Sequence, residues 1–159
     1  MRSGWLALGA AALLLGGAGR ADEAGFVPPR ERDRCPVCGM FVAKYPDWIA
    51  EVRFADGGYA VFDGAKDLFK FLSAPERYLP DRVAADVREI WVTDYYALRP
   101  VEGRAAFFVL GSDVFGPMGR ELVPFASREE AEEFLRDHHG TSVLRFDDVN
   151  ARVLEALDR

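Results

Sequence analysis

The stretch Cys35-Pro36-Val37-Cys38-Gly39-Met40 contains both cysteines of the chain and one of its three methionines. A proline and a glycine favour a tight turn around the three sulfur atoms. Thiolate and thioether are soft donors that favour Cu(I) over hard cations such as Mg²⁺ or Ca²⁺, while Zn²⁺ accepts thiolates but rarely thioethers. The stretch therefore predicts a soft-metal site, and we expect the fold to begin there.

Two other interpretations of the cysteine pair stay open. A disulfide between Cys35 and Cys38 would close a very short loop, so it would stabilise the fold much less than a long-range bridge. A thioredoxin-type pair precedes a helix whose dipole lowers the thiol pKa, whereas a β-like run follows here. Chemistry at the pair is therefore favoured over a structural disulfide, and thiol–disulfide exchange is kept as an alternative to metal binding.

The first 21 residues are typical of a cleavable signal peptide. Arg2 precedes an apolar run from Trp5 to Ala18, and small residues flank a cleavage point near Ala21. The run is shorter than the roughly 20 residues that span a membrane. No cysteine directly follows it, so no lipid anchor is evident. We expect a periplasmic protein.

The composition indicates one acidic domain. A formal net charge of −6 opposes binding to nucleic acid or anionic lipid, because phosphate groups repel acidic surfaces. A hydrophobic content of 50% is enough for a buried core. Residues 22–34 are charged and contain prolines, which predicts a flexible lead-in. Residues 35–159 are then expected to form a single domain.

Alternating apolar residues predict a strand that ends at Phe54, a hairpin turn at Asp56-Gly57-Gly58 and a returning strand at 59–62. A helix follows and ends before Pro75. A second round contains β-like runs at 89–93 and 105–110, a long glycine-rich connection at 111–119 and a run at 121–125. Ser127 and Glu130 then form a capping box for a helix that extends to His139.

The two helical passages show a weak internal repeat. One set of apolar residues has the same mutual spacing as a second set: Phe62, Phe71 and Leu72 in the first, Phe125, Phe134 and Leu135 in the second. The sequence therefore predicts an α+β fold of two strand-strand-helix units. A strand at 142–146 and a capped helix at 147–157 would close the domain.

Further ligand candidates lie outside the cysteine stretch. Met118 stands in Gly116-Pro117-Met118-Gly119, where a turn has little core for a methionine to fill, so we interpret it as a ligand. His138 and His139 are the only histidines, and neighbours on a helix point about 100° apart. Their place in the last helical turn suits the helix dipole, and His138 is kept as a metal-ligand candidate.

The cysteine stretch resembles the opening of treble-clef zinc modules and, with Met40, of the YHS and TRASH metal-binding domains. In those modules a second cysteine pair follows the aromatic strand, whereas this chain has Asp63 and Asp67 at the matching positions. We interpret Asp63 as a helix cap and Asp67 as part of a solvated helix face. Two thiolates alone would leave a zinc ion open, so a closed four-cysteine site is not expected.

Nearly the whole mature chain resembles the NosL family, the nitrous-oxide reductase accessory proteins. The stretches that carry this resemblance are Cys35 to Met40, Phe62 to Phe69, Val92 to Tyr96, Gly111 to Gly119 with Glu121 to Phe125, and Asp137-His138 with Gly140. The two loop motifs, around the cysteines and around Met118, are specific only when taken together.

The resemblance implies an exported Cu(I)-binding chaperone that supplies copper for the copper centres of nitrous-oxide reductase. Cys38 and Met118 are the strongest ligand candidates by that likeness, followed by Cys35, Met40 and His138. The implied partners are the copper ion and nitrous-oxide reductase or its assembly machinery. We expect no enzyme activity, because no Ser/His/Asp set or phosphate-binding loop is evident. A thiol–disulfide reductant and a zinc-binding structural module remain the alternatives.

Overall fold

A computed structural model describes residues 25–158 as an α+β fold with two antiparallel sheets. The strands are β1 (Ala50–Phe54), β2 (Tyr59–Phe62), β3 (Val87–Asp94), β4 (Arg99–Glu102), β5 (Phe107–Gly116), β6 (Gly119–Phe125) and β7 (Ser142–Arg145). The helices are α1 (Ala65–Ser73), α2 (Pro75–Tyr78), α3 (Arg128–Asp137) and α4 (Ala151–Leu157). The signal peptide predicted for residues 1–21 lies outside the described residues.

Each sheet contains one of the two expected strand-strand-helix units. The first sheet has the order β2-β1-β3-β4 and the second the order β6-β5-β7. Helix α1 follows β2, and helix α3 follows β6. The rings of Phe62 and Phe71 lie 5.2 Å apart in the first unit, and those of Phe125 and Phe134 lie 5.0 Å apart in the second. The spacing noted in the sequence therefore corresponds to equivalent packing of strand end against helix.

Two parts of the second unit differ from the prediction. Residues 89–93 belong to β3, which pairs with β1 in the first sheet and not with the second unit. Residues 111–116 continue strand β5 instead of forming a loop, and only Pro117 and Met118 turn between the paired Gly116 and Gly119. The register of the β5-β6 pairing shifts between Leu110 and Phe115, and this irregularity lets the strand continue through the glycine-rich sequence.

The helix ends also differ from the prediction in detail. Ser127 accepts a hydrogen bond from the Glu130 amide, but the Glu130 carboxylate accepts one from the Ser127 hydroxyl and not from its amide. Helix α3 ends at Asp137, because His139 has a positive φ of 56° that breaks the helical path. At the C-terminus, residues 146–148 form a 3-10 turn, and α4 begins after the capping side chain of Asn150.

The larger of two apolar clusters joins α1 to both sheets, and a smaller one lies between α3 and the strands β5 and β6. Phe69 of α1 lies 5.1 Å from the ring of Phe108 in the second sheet and 5.0 Å from Phe146, so α1 is buried against both halves. Part of the predicted flexible lead-in is also held by the fold. The Val27 amide donates a hydrogen bond to the buried Glu51 carboxylate. The backbones of Arg34 and Phe41 form an isolated antiparallel β-bridge. The N-terminal end of α1 lies between the cysteine stretch and the second sheet, since Asp67 contacts Cys35 and Lys66 contacts the β5-β6 turn.

Candidate metal centre

The cysteine stretch forms a tight reverse turn whose two thiols both face the start of α1. The Cys35 amide donates to the Met40 carbonyl over 2.9 Å, and the Gly39 amide donates to the Cys35 carbonyl over 2.8 Å. Gly39 has a φ of 79°, a left-handed conformation that glycine adopts without steric cost. Arg34 packs on Phe41 at 3.8 Å and donates to the Gly39 carbonyl, which closes the turn from outside.

Both thiols of the turn face carboxylates at the start of α1. Cys38 Sγ lies 3.1 Å from Asp63 Oδ1, and Cys35 Sγ lies 3.3 Å from Asp67 Oδ2. One ligand atom from each of these four residues lies within 4.8 Å of all the others. Both cysteines are free thiols. We call these four residues the Cys-Asp cluster.

The structure corrects our interpretation of the two aspartates. Asp63 makes no capping hydrogen bond, and Gly64 occupies the N-cap position of α1. Asp67 is 3% exposed, so it is not part of a solvated helix face. The positions where the related modules carry a second cysteine pair are thus turned towards the first pair, with carboxylates in place of thiols. The signal available in the sequence was the alignment of these aspartates with that missing pair.

The cluster is buried enough to keep its thiols protonated. Burial raises the pKa of Cys38 to about 12, and its hydrogen bond to Asp63 adds to the effect. Burial also raises the pKa of Cys35 far above its usual range, with the charge of Asp67 acting in the same direction. A cation that binds here must therefore displace thiol protons, and that displacement makes binding dependent on pH.

The donor set fits a soft metal ion. Two thiols supply soft ligands once they lose their protons. The second oxygen of Asp63 is buried and has no hydrogen-bond partner among residues 25–158, which is unusual for a carboxylate. A bound cation would offset the negative charge of both carboxylates and could be coordinated by that oxygen. Cu(I) or Zn²⁺ fits this combination better than Mg²⁺ or Ca²⁺ does.

Met118 lies at the tip of the β5-β6 hairpin and is 45% exposed. Phe115, on the same hairpin, is 60% exposed. The Met118 carbonyl accepts a 2.7 Å hydrogen bond from the ammonium group of Lys66, the residue next to Asp67. The Met118 turn is therefore attached to the same end of α1 as the Cys-Asp cluster.

Lys66 and Glu121 were not predicted as site residues. Both are buried, with only 3% of each exposed. One oxygen of Glu121 accepts hydrogen bonds from the amides of Lys66 and Leu122. Burial raises the pKa of Glu121 to about 8, and these donors and the charge of Lys66 oppose the shift. No local pattern singles out either residue, since a lysine and a glutamate are ordinarily solvated.

The other predicted ligands lie in different surroundings. Met40 follows the cysteine turn directly and is half-buried, with its carbonyl used by Cys35. His138 stacks on Phe134 at 4.3 Å, and its Nδ1 lies 3.0 Å from Asp113 Oδ1. Within residues 25–158, His138 is not among the residues that gather around the two thiols.

Comparison with known proteins yields relatives of one kind. A copper-binding lipoprotein NosL from Stutzerimonas stutzeri is 27% identical over 133 residues, which cover 79% of this chain and 66% of the relative, just under two thirds of its length. A copper-binding lipoprotein NosL from Achromobacter cycloclastes is 31% identical in an alignment that covers 94% of this chain and 82% of the relative.

The fold is also similar to a solved structure. The crystal structure of the copper chaperone NosL from Shewanella denitrificans matches with a TM-score of 0.65 and 27% identity, covering 77% of this chain and 93% of that one. No helix among residues 25–158 is both long and apolar enough to cross a membrane. The sequence model of the NosL family matches residues 27–154, which include both the cysteine turn and the Met118 hairpin. The chain belongs to the NosL family.

Proposed function

We propose that this protein is an exported Cu(I)-binding chaperone that supplies copper for assembly of the copper centres of nitrous-oxide reductase. One observation carries the proposal: two thiols and an exposed thioether turn are attached to the same end of α1. The names of the relatives, which describe copper-binding proteins and a copper chaperone, support the choice of metal.

The exposure of the donors suits an ion that is passed on. Cys35 is 1% exposed, whereas Cys38 is half-buried and Met118 is 45% exposed. A thiolate contributes charge and affinity, and a neutral thioether adds soft coordination without further charge. An acceptor protein can therefore approach from the side of Met118 and Cys38 while Cys35 holds the inner face. We propose Cys38 and Met118 as the principal ligands, with Cys35, Met40 and His138 as further candidates.

We also propose that the protein has no catalytic turnover. Its two thiols are held protonated by burial and by neighbouring carboxylates, so neither is an activated nucleophile. This disfavours the thiol–disulfide reductant that the cysteine spacing left open. The acceptor is nitrous-oxide reductase or its assembly machinery. Transfer of bound Cu(I) to copper-free nitrous-oxide reductase, followed by the return of its absorption spectrum, tests that partner.

The Cys-Asp cluster gives a zinc-binding function a specific basis. Zn²⁺ accepts thiolate and carboxylate ligands in a four-coordinate site, and four such donors lie within 4.8 Å of one another. A zinc module would use all four residues and leave Met118 unused. The Met118→Leu variant therefore distinguishes the two functions, since only copper binding depends on the thioether.

An anaerobic titration with Cu(I) against a competing chelator tests the copper proposal. We expect one Cu(I) ion per chain at an affinity that competes with the chelator, and loss of that binding in Cys38→Ser. A parent protein that fails to compete, or that carries stoichiometric zinc without affinity for Cu(I), would contradict it. Intact-mass measurement of the exported protein tests cleavage near Ala21, since a retained N-terminus would count against processing.

A further inference from the structure

Lys66 is a buried lysine with an unusual hydrogen-bond partner. Its ammonium group donates a 2.7 Å hydrogen bond to the Met118 carbonyl, although its side chain belongs to the first turn of α1. Lysine side chains are rarely buried because removing an ammonium group from water is costly. Here the hydrogen bond goes to the backbone of an exposed hairpin tip, so the burial connects the helix with that tip.

Glu121 supports this connection from the other direction. It lies on β6, three residues after Met118, and its carboxyl group accepts a hydrogen bond from the backbone amide of Lys66. Its side chain leaves no room beside Gly64 or Gly116, where an added Cβ would meet it. The hairpin and the helix are thus joined twice, from hairpin side chain to helix backbone and from helix side chain to hairpin backbone.

The turn that carries Met118 is short and flanked by glycines. Only Pro117 and Met118 lie between the paired Gly116 and Gly119, and Gly119 adopts a positive φ of 86°, which glycine tolerates without steric cost. The Met118 side chain is 45% exposed, so it keeps rotational freedom that binding to a metal ion would restrict. A fixed carbonyl leaves only the rotation of its side-chain bonds to bring the thioether to a metal ion.

We propose that Lys66 is a positioning residue for Met118: it holds the Met118 turn beside the Cys-Asp cluster so that the thioether and the thiols reach one ion. The proposal rests on the copper-binding function proposed above. Lys66 does not contact the metal in this arrangement, because its ammonium group is used by the Met118 carbonyl. It acts by reducing the conformational freedom that Met118 loses on binding.

The test uses Lys66→Leu, which keeps an apolar side chain but removes the ammonium donor and adds no sulfur ligand for copper. We expect its Cu(I) affinity to fall about tenfold, the lower end of the range for residues that orient metal ligands. Lys70→Leu is the matched control. It makes the same change one turn later on α1, where the ammonium group pairs with Asp158 at the surface. We expect that control to bind Cu(I) like the parent.

A double-mutant cycle separates positioning from a general structural effect. If Lys66 acts through Met118, adding Met118→Leu to Lys66→Leu should weaken binding much less than Met118→Leu does in the parent. If the two losses multiply instead, Lys66 acts independently of Met118 and the proposal is overturned. Binding of Lys66→Leu at the parent affinity would overturn it equally.

Hydrogen exchange of the metal-free proteins gives a readout that does not require copper. Lys66→Leu should speed exchange in residues 116–119 while leaving β1 and β3 protected as in the parent. Unchanged exchange at the turn would contradict the tether directly. A parent protein that fails to compete for Cu(I) would overturn the proposed function, and the positioning role would fall with it. A parent that binds, with an unaffected Lys66→Leu, overturns the positioning role alone.

Discussion

Cys38 Sγ lies 3.1 Å from Asp63 Oδ1, so the cysteine turn is joined by a hydrogen bond to a residue two positions before α1. Cys35 and Asp67 repeat this relationship at 3.3 Å deeper in the protein. Each thiol is thereby paired with a carboxylate that stabilises its protonated form. Both cysteines of the metal-free protein are therefore held as protonated thiols.

Replacement of the two principal ligands should have unequal effects on Cu(I) binding. Cys38→Ser should nearly abolish competition with a chelator, because a hydroxyl does not replace a thiolate as a soft ligand. Met118→Leu preserves volume and hydrophobicity, so it should weaken binding without unfolding the protein. Chelator competition measures the first effect and circular dichroism the second. Parent-like affinity in Met118→Leu would show that Met118 is not a ligand.

Cu(I) affinity should increase with pH between about 6 and 8. Since the pKa of Cys38 is raised to about 12 and that of Cys35 lies higher, each thiol that binds copper must release a proton throughout this range. The logarithm of the apparent affinity should rise by about one per pH unit for each thiol displaced. Anaerobic titrations at several pH values measure this slope. A slope near two that falls to one in Cys35→Ser would identify both cysteines as ligands, whereas a slope of zero would contradict thiolate binding.

The metal-free thiols should react slowly with a disulfide reagent. Burial and the carboxylates keep the thiolate fraction of Cys38 very small at neutral pH, so we expect reaction at least about a hundredfold slower than that of free cysteine. Asp63→Asn removes the adjacent charge and should accelerate the reaction, whereas Asp81→Asn, at an exposed position, should not. Stopped-flow measurement with an aromatic disulfide follows the rate. Reaction at the rate of free cysteine would favour the alternative function as a thiol–disulfide reductant.

Glu51 should make the stability of the fold depend on pH. Its carboxyl group is fully buried, and burial raises its pKa to about 7 from the usual value of 4.5, despite hydrogen bonds from the Val27 amide. The folded state therefore holds this proton more tightly than the unfolded state does. The stabilisation is complete below pH 4.5 and is lost as the pH rises through about 7.

Urea unfolding at pH 5.5 and pH 8 measures this effect. The parent should lose about 1 to 3 kcal/mol more than Glu51→Gln over this interval, because the amide cannot ionise. Glu76→Gln, on the exposed surface of α2, is the control and should follow the parent. Identical pH dependence in the parent and in Glu51→Gln would show that Glu51 does not titrate in this range.

Much of the fold was accessible from local patterns. The alternation before Phe54 and the turn at Asp56 to Gly58 predict the first hairpin, because side-chain period and turn chemistry are properties of adjacent residues. The partner of a strand is not such a property. Residues 89–93 have a clear strand pattern, but their pairing with β1 depends on a chain segment about 40 residues away. The glycine content of 111–119 likewise suggested a loop where pairing with β6 extends β5 to Gly116.

The candidate site divides in the same way. The sequence by itself determined the soft donors, since two cysteines and a methionine in one turn define the chemistry wherever that turn lies. Only the tertiary structure decided which groups surround those donors. In the sequence, Asp63 and Asp67 resemble ordinary residues at the start of a helix, whereas in the structure the cysteine turn packs on α1 and buries them. The contact of Lys66 depends likewise on the β5-β6 hairpin, which lies against the same end of that helix. Burial and long-range contact set the charge, the pKa and the freedom of a side chain, and neither is encoded by its neighbours in the chain.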